Sequence, residues 1–271
     1  KRTRSMGKVA LYAVLASEWA LEDAGLLGHE VITSGLTGIA YGSSSGTPSA
    51  VGDFGKMLFN KTTDGINANS YIKMMPHTTT SNIGIFFGIT GRIIPSSTAC
   101  TSGSISIGYA YETIKTGKQI VMLAGGSEEL CATQAAVFDT LYATETDNEN
   151  PDDYPKPYDL KRKGLVVGEG AGTLILEEYE HAMERGVNIY AEVVGFGTNS
   201  DGSHVTQPNK TTMARAMELS LSDAGLKPSD IQYINGHGTA TDSGDIAESQ
   251  ATANVFGNGV PFSALKGYIG H

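Results

Sequence analysis

At 271 residues, 40% of them hydrophobic, the chain is long enough to bury a sizeable core as one large domain or two smaller ones. Its 19 Lys and Arg stand against 29 Asp and Glu, and the resulting formal charge of −10 excludes a general nucleic-acid surface, because phosphate binding needs a basic face. No secretory signal and no apolar run of membrane-spanning length is present, and the two cysteines, Cys100 and Cys131, are the composition expected of a reducing cytoplasm. Cys131, in Glu128-Glu129-Leu130-Cys131-Ala132, reads as a buried thiol and not as a disulfide partner for Cys100. The chain opens on Lys1 and stops at His271 inside a motif, so it is expected to be an internal piece of a longer protein.

In chain order, Val9, Leu11, Tyr12, Val14, Leu15, Trp19 and Leu21 recur at helical spacing and predict a helix over 7–24 that Gly25 stops. A short apolar strand follows over 36–41 and runs into Gly42-Ser43-Ser44-Ser45-Gly46. Residues 47–75 mix helix and loop signals. A helix over 81–88 leads to an apolar strand that ends near Cys100, then to a helix over 101–115 and an all-apolar strand over 119–124, buried on both faces. The Asp-, Asn- and Pro-rich stretch 147–157 is an exposed loop. Strands are expected over 172–177, 190–197, 231–235 and 261–264, and helices over 211–224 and 243–255. The alternation predicts an α/β architecture with largely parallel sheets.

An internal echo sharpens this. The segments 17–26 and 217–226 agree at six of ten positions, sharing Glu, Leu, Asp, Ala, Gly and Leu. Each is followed by an apolar strand that ends in a Gly-rich corner, Ala40-Tyr41-Gly42-Ser43 in one and Gly236-His237-Gly238-Thr239 in the other. Two copies of a helix–strand–corner unit suggest a duplicated fold with a pseudo-twofold axis.

The chemistry gathers at three places. Cys100 lies in Ser96-Ser97-Thr98-Ala99-Cys100-Thr101-Ser102-Gly103-Ser104, where a strand turns abruptly into a helix. The positive end of a helix favours a thiolate and offers backbone donors for an oxyanion. His237 sits between two glycines at a tight corner, and His271 closes Ser263-Ala264-Leu265-Lys266-Gly267-Tyr268-Ile269-Gly270-His271. Neutral imidazoles can donate hydrogen bonds to a thioester oxygen that is becoming an enolate. His29, His77 and His181 carry no such signature.

Together these motifs resemble the β-ketoacyl-acyl carrier protein synthases of the thiolase-like superfamily. Thr98-Ala99-Cys100-Thr101-Ser102-Gly103 is similar to the nucleophile signature of the elongating type, and the run from His237 to Glu248 to its first-histidine motif. Lys266 to His271 is similar to its Lys-to-His motif, with further matches at Gly168-Glu169-Gly170-Ala171-Gly172 and around Ser200-Asp201-Gly202. The resemblance implies a duplicated, layered α/β/α/β/α fold with mixed, largely parallel sheets. Its N-terminal half would cover 1–177 and the start of its C-terminal half 178–271.

It implies a decarboxylative Claisen condensation of an acyl thioester with malonyl-acyl carrier protein, for fatty-acid or polyketide elongation. The roles carried over are a catalytic set of Cys100, His237 and His271 with Lys266 and Glu248 in the surrounding polar network. Thr98, Asp201, His204, Thr206, Thr239 and Thr241 would contact substrate, and Lys1, Arg2 and Arg4 would receive an acidic acyl carrier protein. A homodimer, or a heterodimer with a related subunit, is expected; no metal or redox cofactor, nucleic acid or membrane is implied. A thiolase-like acyl-CoA enzyme and a non-catalytic acyl-binding partner subunit are the alternatives.

Overall fold

A computed structural model describes residues 3–153, 155–203 and 207–271. It divides into two compact units, one made of Lys1–Glu129 with Gly170–Glu192, the other of Leu130–Glu169 with Val193–His271.

The first unit is built on a four-stranded sheet. Strands β1 (Thr37–Gly42), β2 (Ile93–Ser96) and β3 (Val121–Glu128) are parallel, and β4 (Gly170–Glu177) closes the order β2-β1-β3-β4 antiparallel to β3. The apolar run before Gly125 is buried throughout, as expected for a strand covered on both faces. One face of the sheet carries Ile39, Tyr41, Val121 and Leu123 into the main core, with Leu21 from α1 (Lys8–Asp23) and Ile83 from α4 (Thr78–Phe87). The other face puts Ala40, Met122 and Ala124 against Ala110 of α5 (Ser102–Lys115). Small residues on that side let α5 lie close to the strands, which matters for the turn at its start.

The ambiguous stretch 47–75 resolves into two helices. Pro48 opens α2 (Pro48–Asn60), and the Asn67 side chain accepts the Asn69 and Ser70 N–H groups to start α3 (Ala68–Met74). After β4 comes α7 (Tyr179–Arg185), whose Arg185 reaches back to the carbonyl of Ala24 at 2.6 Å.

The second unit holds α6 (Ala132–Thr140), α8 (Lys210–Ala224), α9 (Asp242–Phe256), the short α10 (Lys266–Ile269) and a parallel two-stranded sheet of β5 (Ile234–Asn235) and β6 (Phe262–Ser263). The expected strand over 190–197 is not formed. Its residues 195–197 run tightly along α8, where a Cβ on Gly197 would meet the Ala216 carbonyl at 2.3 Å. The Phe196 N–H goes to the Asp223 carboxylate at 3.0 Å and so is satisfied by a side chain instead of a ladder. The expected strand over 231–235 shrinks to two residues because a 3₁₀ turn at Pro228–Asp230 occupies the approach.

The internal echo has a shared physical basis. Helices α1 and α8 each stop at a glycine in the left-handed region, Gly25 at φ 65° and Gly225 at φ 67°. Past each stop the matching leucine N–H closes on the same register, Leu26 to Leu21 at 2.8 Å and Leu226 to Leu221 at 3.0 Å. Neither cysteine is in a disulfide, and Cys131 is half-buried instead of buried, because it serves as the N-cap of α6 and accepts the Gln134 N–H at 3.4 Å. No helix of the described residues is long and apolar enough to cross a membrane.

Candidate active site

In the first unit, β2 turns into α5 through Ser97-Thr98-Ala99-Cys100-Thr101. Ala99 takes φ 51°, a left-handed conformation that costs a non-glycine residue about 1–3 kcal/mol and persists only where the surroundings enforce it. The enforcement is visible. Ser102 Oγ donates to the Ala99 carbonyl at 2.7 Å and accepts the Thr98 N–H at 2.9 Å. Ser96 Oγ and Ser106 Oγ both donate to the Ser102 carbonyl, at 2.9 and 2.8 Å. Beneath them the end of β1 comes so near that a Cβ on Gly42 would lie 2.6 Å from that of Ser102. Cys100 is thereby held exposed at the positive end of the α5 dipole. The Thr98 hydroxyl accepts from that of Thr101 at 3.1 Å.

In the second unit, His237, Lys266, His271 and Glu248 come together. Lys266 Nζ lies 3.1 Å from His237 Nδ1. An ammonium can only donate, so Nδ1 is the acceptor and the ring proton sits on Nε2. The His271 ring packs edge-on to that of His237, with centroids 5.2 Å apart, and to Phe138 at 5.7 Å. Its backbone is clamped at both ends, by the Val166 carbonyl at 2.7 Å and the Gly168 N–H at 2.9 Å. Glu248 holds the other corner, accepting the N–H groups of His237 at 2.6 Å and Gly238 at 2.9 Å.

Burial, and then the Lys266 charge, pushes the His237 pKa down to about 4. His271 is pushed to about 4 by burial, then by His237 and Lys266. Both rings are thus neutral donors over the ordinary pH range. In the unfolded chain these rings titrate near 6.5, so between about pH 4 and 6.5 the unfolded state binds more protons. The contribution of both rings to stability is then fully present above pH 6.5 and is lost as pH falls toward 4. Denaturation midpoints measured across that window should fall with acidification, and less so in His237→Gln.

Three residues that the sequence does not single out complete the corner. The Tyr158 hydroxyl donates to Glu248 Oε2 at 2.6 Å, and its ring lies under both glycines: a Cβ on Gly236 would meet the hydroxyl at 2.2 Å. Asp245, 1% exposed, accepts the N–H groups of Tyr158 at 2.7 Å and Ala240 at 3.1 Å. Arg162 faces Asp245 at 3.6 Å and Asp242 at 3.2 Å. Burial raises the Asp245 pKa despite those partners, and burial together with Glu248 raises that of Tyr158. Tyr158 and Ala240 are themselves left-handed, at φ 66° and 60°. Tyr158→Phe should cost about 1.5–3 kcal/mol in chemical denaturation, the range for a hydrogen bond to a charged partner. A loss below about 0.5 kcal/mol would show the hydroxyl to be idle.

Thr239 and Thr241 hydrogen bond to one another at 2.7 Å beside the start of α9. Asp201 is exposed and accepts the Ser203 N–H at 3.2 Å. Arg4 is exposed and lines a polar cavity of about 340 Å³ with Asp53, Asn67, Ser70 and Lys73. Lys1, Arg2, His204 and Thr206 lie outside the described residues.

Comparison with known proteins gives a consistent set of matches. Residues 1–182 match the β-ketoacyl synthase N-terminal domain and residues 190–271 the β-ketoacyl synthase C-terminal domain. The chain is 36% identical over 278 residues to 3-oxoacyl-[acyl-carrier-protein] synthase 2 of Vibrio cholerae serotype O1, covering all of this chain and 67% of that one. A crystal structure of a β-ketoacyl synthase from Burkholderia phymatum STM815 matches with TM-score 0.98 at 59% identity, covering 100% of this chain and 66% of that one. A type II PKS ketosynthase solved in complex with its acyl-carrier protein matches with TM-score 0.87 at 32% identity, covering 100% of this chain and 68% of that one. The chain spans about two thirds of the length of these relatives.

Proposed function

This chain belongs to the β-ketoacyl synthase family, and from that premise we propose that the protein elongates acyl chains by decarboxylative Claisen condensation. Cys100 Sγ attacks the carbonyl of an acyl thioester and expels the carrier thiol, leaving an acyl-Cys100 thioester. A malonyl thioester then binds, and His237 and His271 donate hydrogen bonds to its carbonyl oxygen. Loss of CO₂ leaves an enolate that those donors stabilise. The enolate carbon attacks acyl-Cys100, the Cys100 thiolate leaves, and a 3-oxoacyl thioester is released.

The observation that carries this reading is the neutral imidazole pair. Decarboxylation without a metal needs preformed donors aimed at the developing oxyanion, and rings whose pKa is pushed to about 4 do not become acids that quench the enolate. Lys266 fixes the His237 tautomer, and Glu248 fixes its backbone. The substrate is malonyl-acyl carrier protein, in fatty-acid or polyketide synthesis, with an acidic carrier received near Arg4. The enzyme works in the cytoplasm as a dimer.

The test is mass spectrometry of the protein after incubation with an acyl-carrier thioester. The expected result is an acyl adduct on the Cys100 peptide that disappears when malonyl-carrier is added. Absence of any adduct would favour a non-catalytic subunit and overturn the proposal.

A further inference from the structure

The run Gly42-Ser43-Ser44-Ser45-Gly46 has the composition of an anion cradle, and the anion it holds belongs to the chain itself. Glu128, the last residue of β3, turns its carboxylate into the loop that leaves β1. Oε1 accepts the hydroxyls of Ser43 at 3.3 Å and Ser45 at 2.8 Å and the Ser45 N–H at 3.4 Å. Oε2 accepts the Ser44 N–H at 2.7 Å and the Ser44 hydroxyl in a still shorter contact. Five donors on one carboxylate make a knot between the ends of two neighbouring strands, and charge-assisted bonds of this kind are about twice as strong as neutral ones.

The knot leads directly to the nucleophile turn. Ser43, 2% exposed, donates its N–H to the Ser96 carbonyl at 3.3 Å and accepts the Gly46 N–H at 3.1 Å. Ser96 holds the Ser102 carbonyl, and Ser102 holds Ala99 in its left-handed conformation next to Cys100. Gly42 and Gly126, the strand residues beside the knot, are also the ones that press on the start of α5. A Cβ on Gly126 would lie 3.2 Å from the Gly103 Cα. Moving the end of β1 relative to β3 therefore moves the floor of the turn.

We propose that Glu128 is a positioning residue for Cys100, acting through the Ser43–Ser45 loop and the Ser96–Ser102 contacts; its consequence for acyl transfer rests on the condensing function proposed for the chain. Without the knot, Ala99 relaxes out of its enforced conformation and Cys100 is no longer held at the α5 dipole that favours its thiolate.

The test is the rate of iodoacetamide alkylation at neutral pH, read peptide by peptide in the full chain, with Cys131 as the internal reference. In Glu128→Gln and in the double variant Ser44→Ala/Ser45→Ala, Cys100 should be alkylated about 10-fold more slowly, in keeping with the large cost of small misplacements at a reacting group. Cys131 should keep its rate, and Glu128→Asp, which retains both oxygens, should recover part of the loss. An unchanged Cys100 rate would overturn the proposal, as would equal slowing at both thiols, since that would signal general loosening. If Glu128→Gln does not fold, Ser45→Ala removes a single hydroxyl and carries the same expectation at smaller size. Alkylation does not depend on condensation. A parent protein that alkylates normally but never forms an acyl adduct would refute the functional reading and leave the role of Glu128 intact.

Discussion

Replacing Cys100 by Ser is expected to abolish covalent acyl loading, by at least ~10³-fold, with the fold unchanged. The two side chains differ little in volume, and Cys100 is exposed, so nothing in the core is disturbed. What changes is nucleophilicity. A serine hydroxyl needs a base to take its proton, and the hydroxyls around this turn cannot serve. Ser96, Ser102 and Ser106 are spent on one another and on backbone carbonyls. Intact-mass measurement after incubation with an acyl-carrier thioester checks it. A Ser variant that still carries the acyl group would remove Cys100 from the reaction.

The second large effect separates the two halves of the chemistry. His237→Ala or His271→Ala should slow malonyl decarboxylation by ~10²–10³-fold, the usual cost of losing one oxyanion donor, while leaving acyl loading on Cys100 comparatively intact. The two variants should differ in the state of Lys266. Removing the His237 ring takes away the acceptor that Lys266 faces at 3.1 Å, so the ammonium is left beside the remaining imidazole. Removing the His271 ring leaves the Lys266–His237 contact standing. Release of labelled CO₂ from malonyl-carrier, measured beside the acyl-adduct assay, distinguishes these roles. Wild-type decarboxylation in either variant would mean that its imidazole has been given the wrong task.

Much of this was legible in the sequence where a residue's identity dictates its setting. The apolar run from Val121 to Ala124 is a buried strand because nothing in it tolerates water, and Gly25 and Gly225 end their helices because they reach left-handed φ without cost. The Cys and His positions were visible because Gly-rich corners set them apart. The illegible parts have definite physical causes. Helix α6 has no buried residue, so no apolar stripe announces it. The strand expected over 231–235 is legible in place but not in length, because only Ile234–Asn235 pair after the 3₁₀ turn at Pro228–Asp230. Tyr158 and Arg162 lie just past the Asp-, Asn- and Pro-rich loop expected over 147–157, in a polar stretch that carries no helix or strand signal. Their partners on α9 stand 80 to 90 residues further along the chain, and only the folded structure shows that Tyr158 fills the space under Gly236 and Gly238. The one signal that could have flagged it is aromatic: a Tyr after two prolines in an otherwise polar run has no reason to be there unless it is covered.

The order of strands in the first unit also sets a timetable. β1, β2 and β3 are adjacent in the first 128 residues, yet the strand that pairs with the outer edge of β3 begins only at Gly170. During synthesis at about 5–20 residues per second, that edge waits roughly 2–10 seconds for its partner. A chain refolding from denaturant has β4 at hand from the start; a chain on the ribosome does not. Throughout the wait, the edge of Val121–Glu128 that faces β4 is unpaired, on a strand apolar through its first half, the kind of edge that captures strands from other chains. The residues of the Cys100 turn are all made before that edge is covered, so slowing initiation, and with it crowding among nascent chains, should raise the yield of folded protein more than slowing elongation.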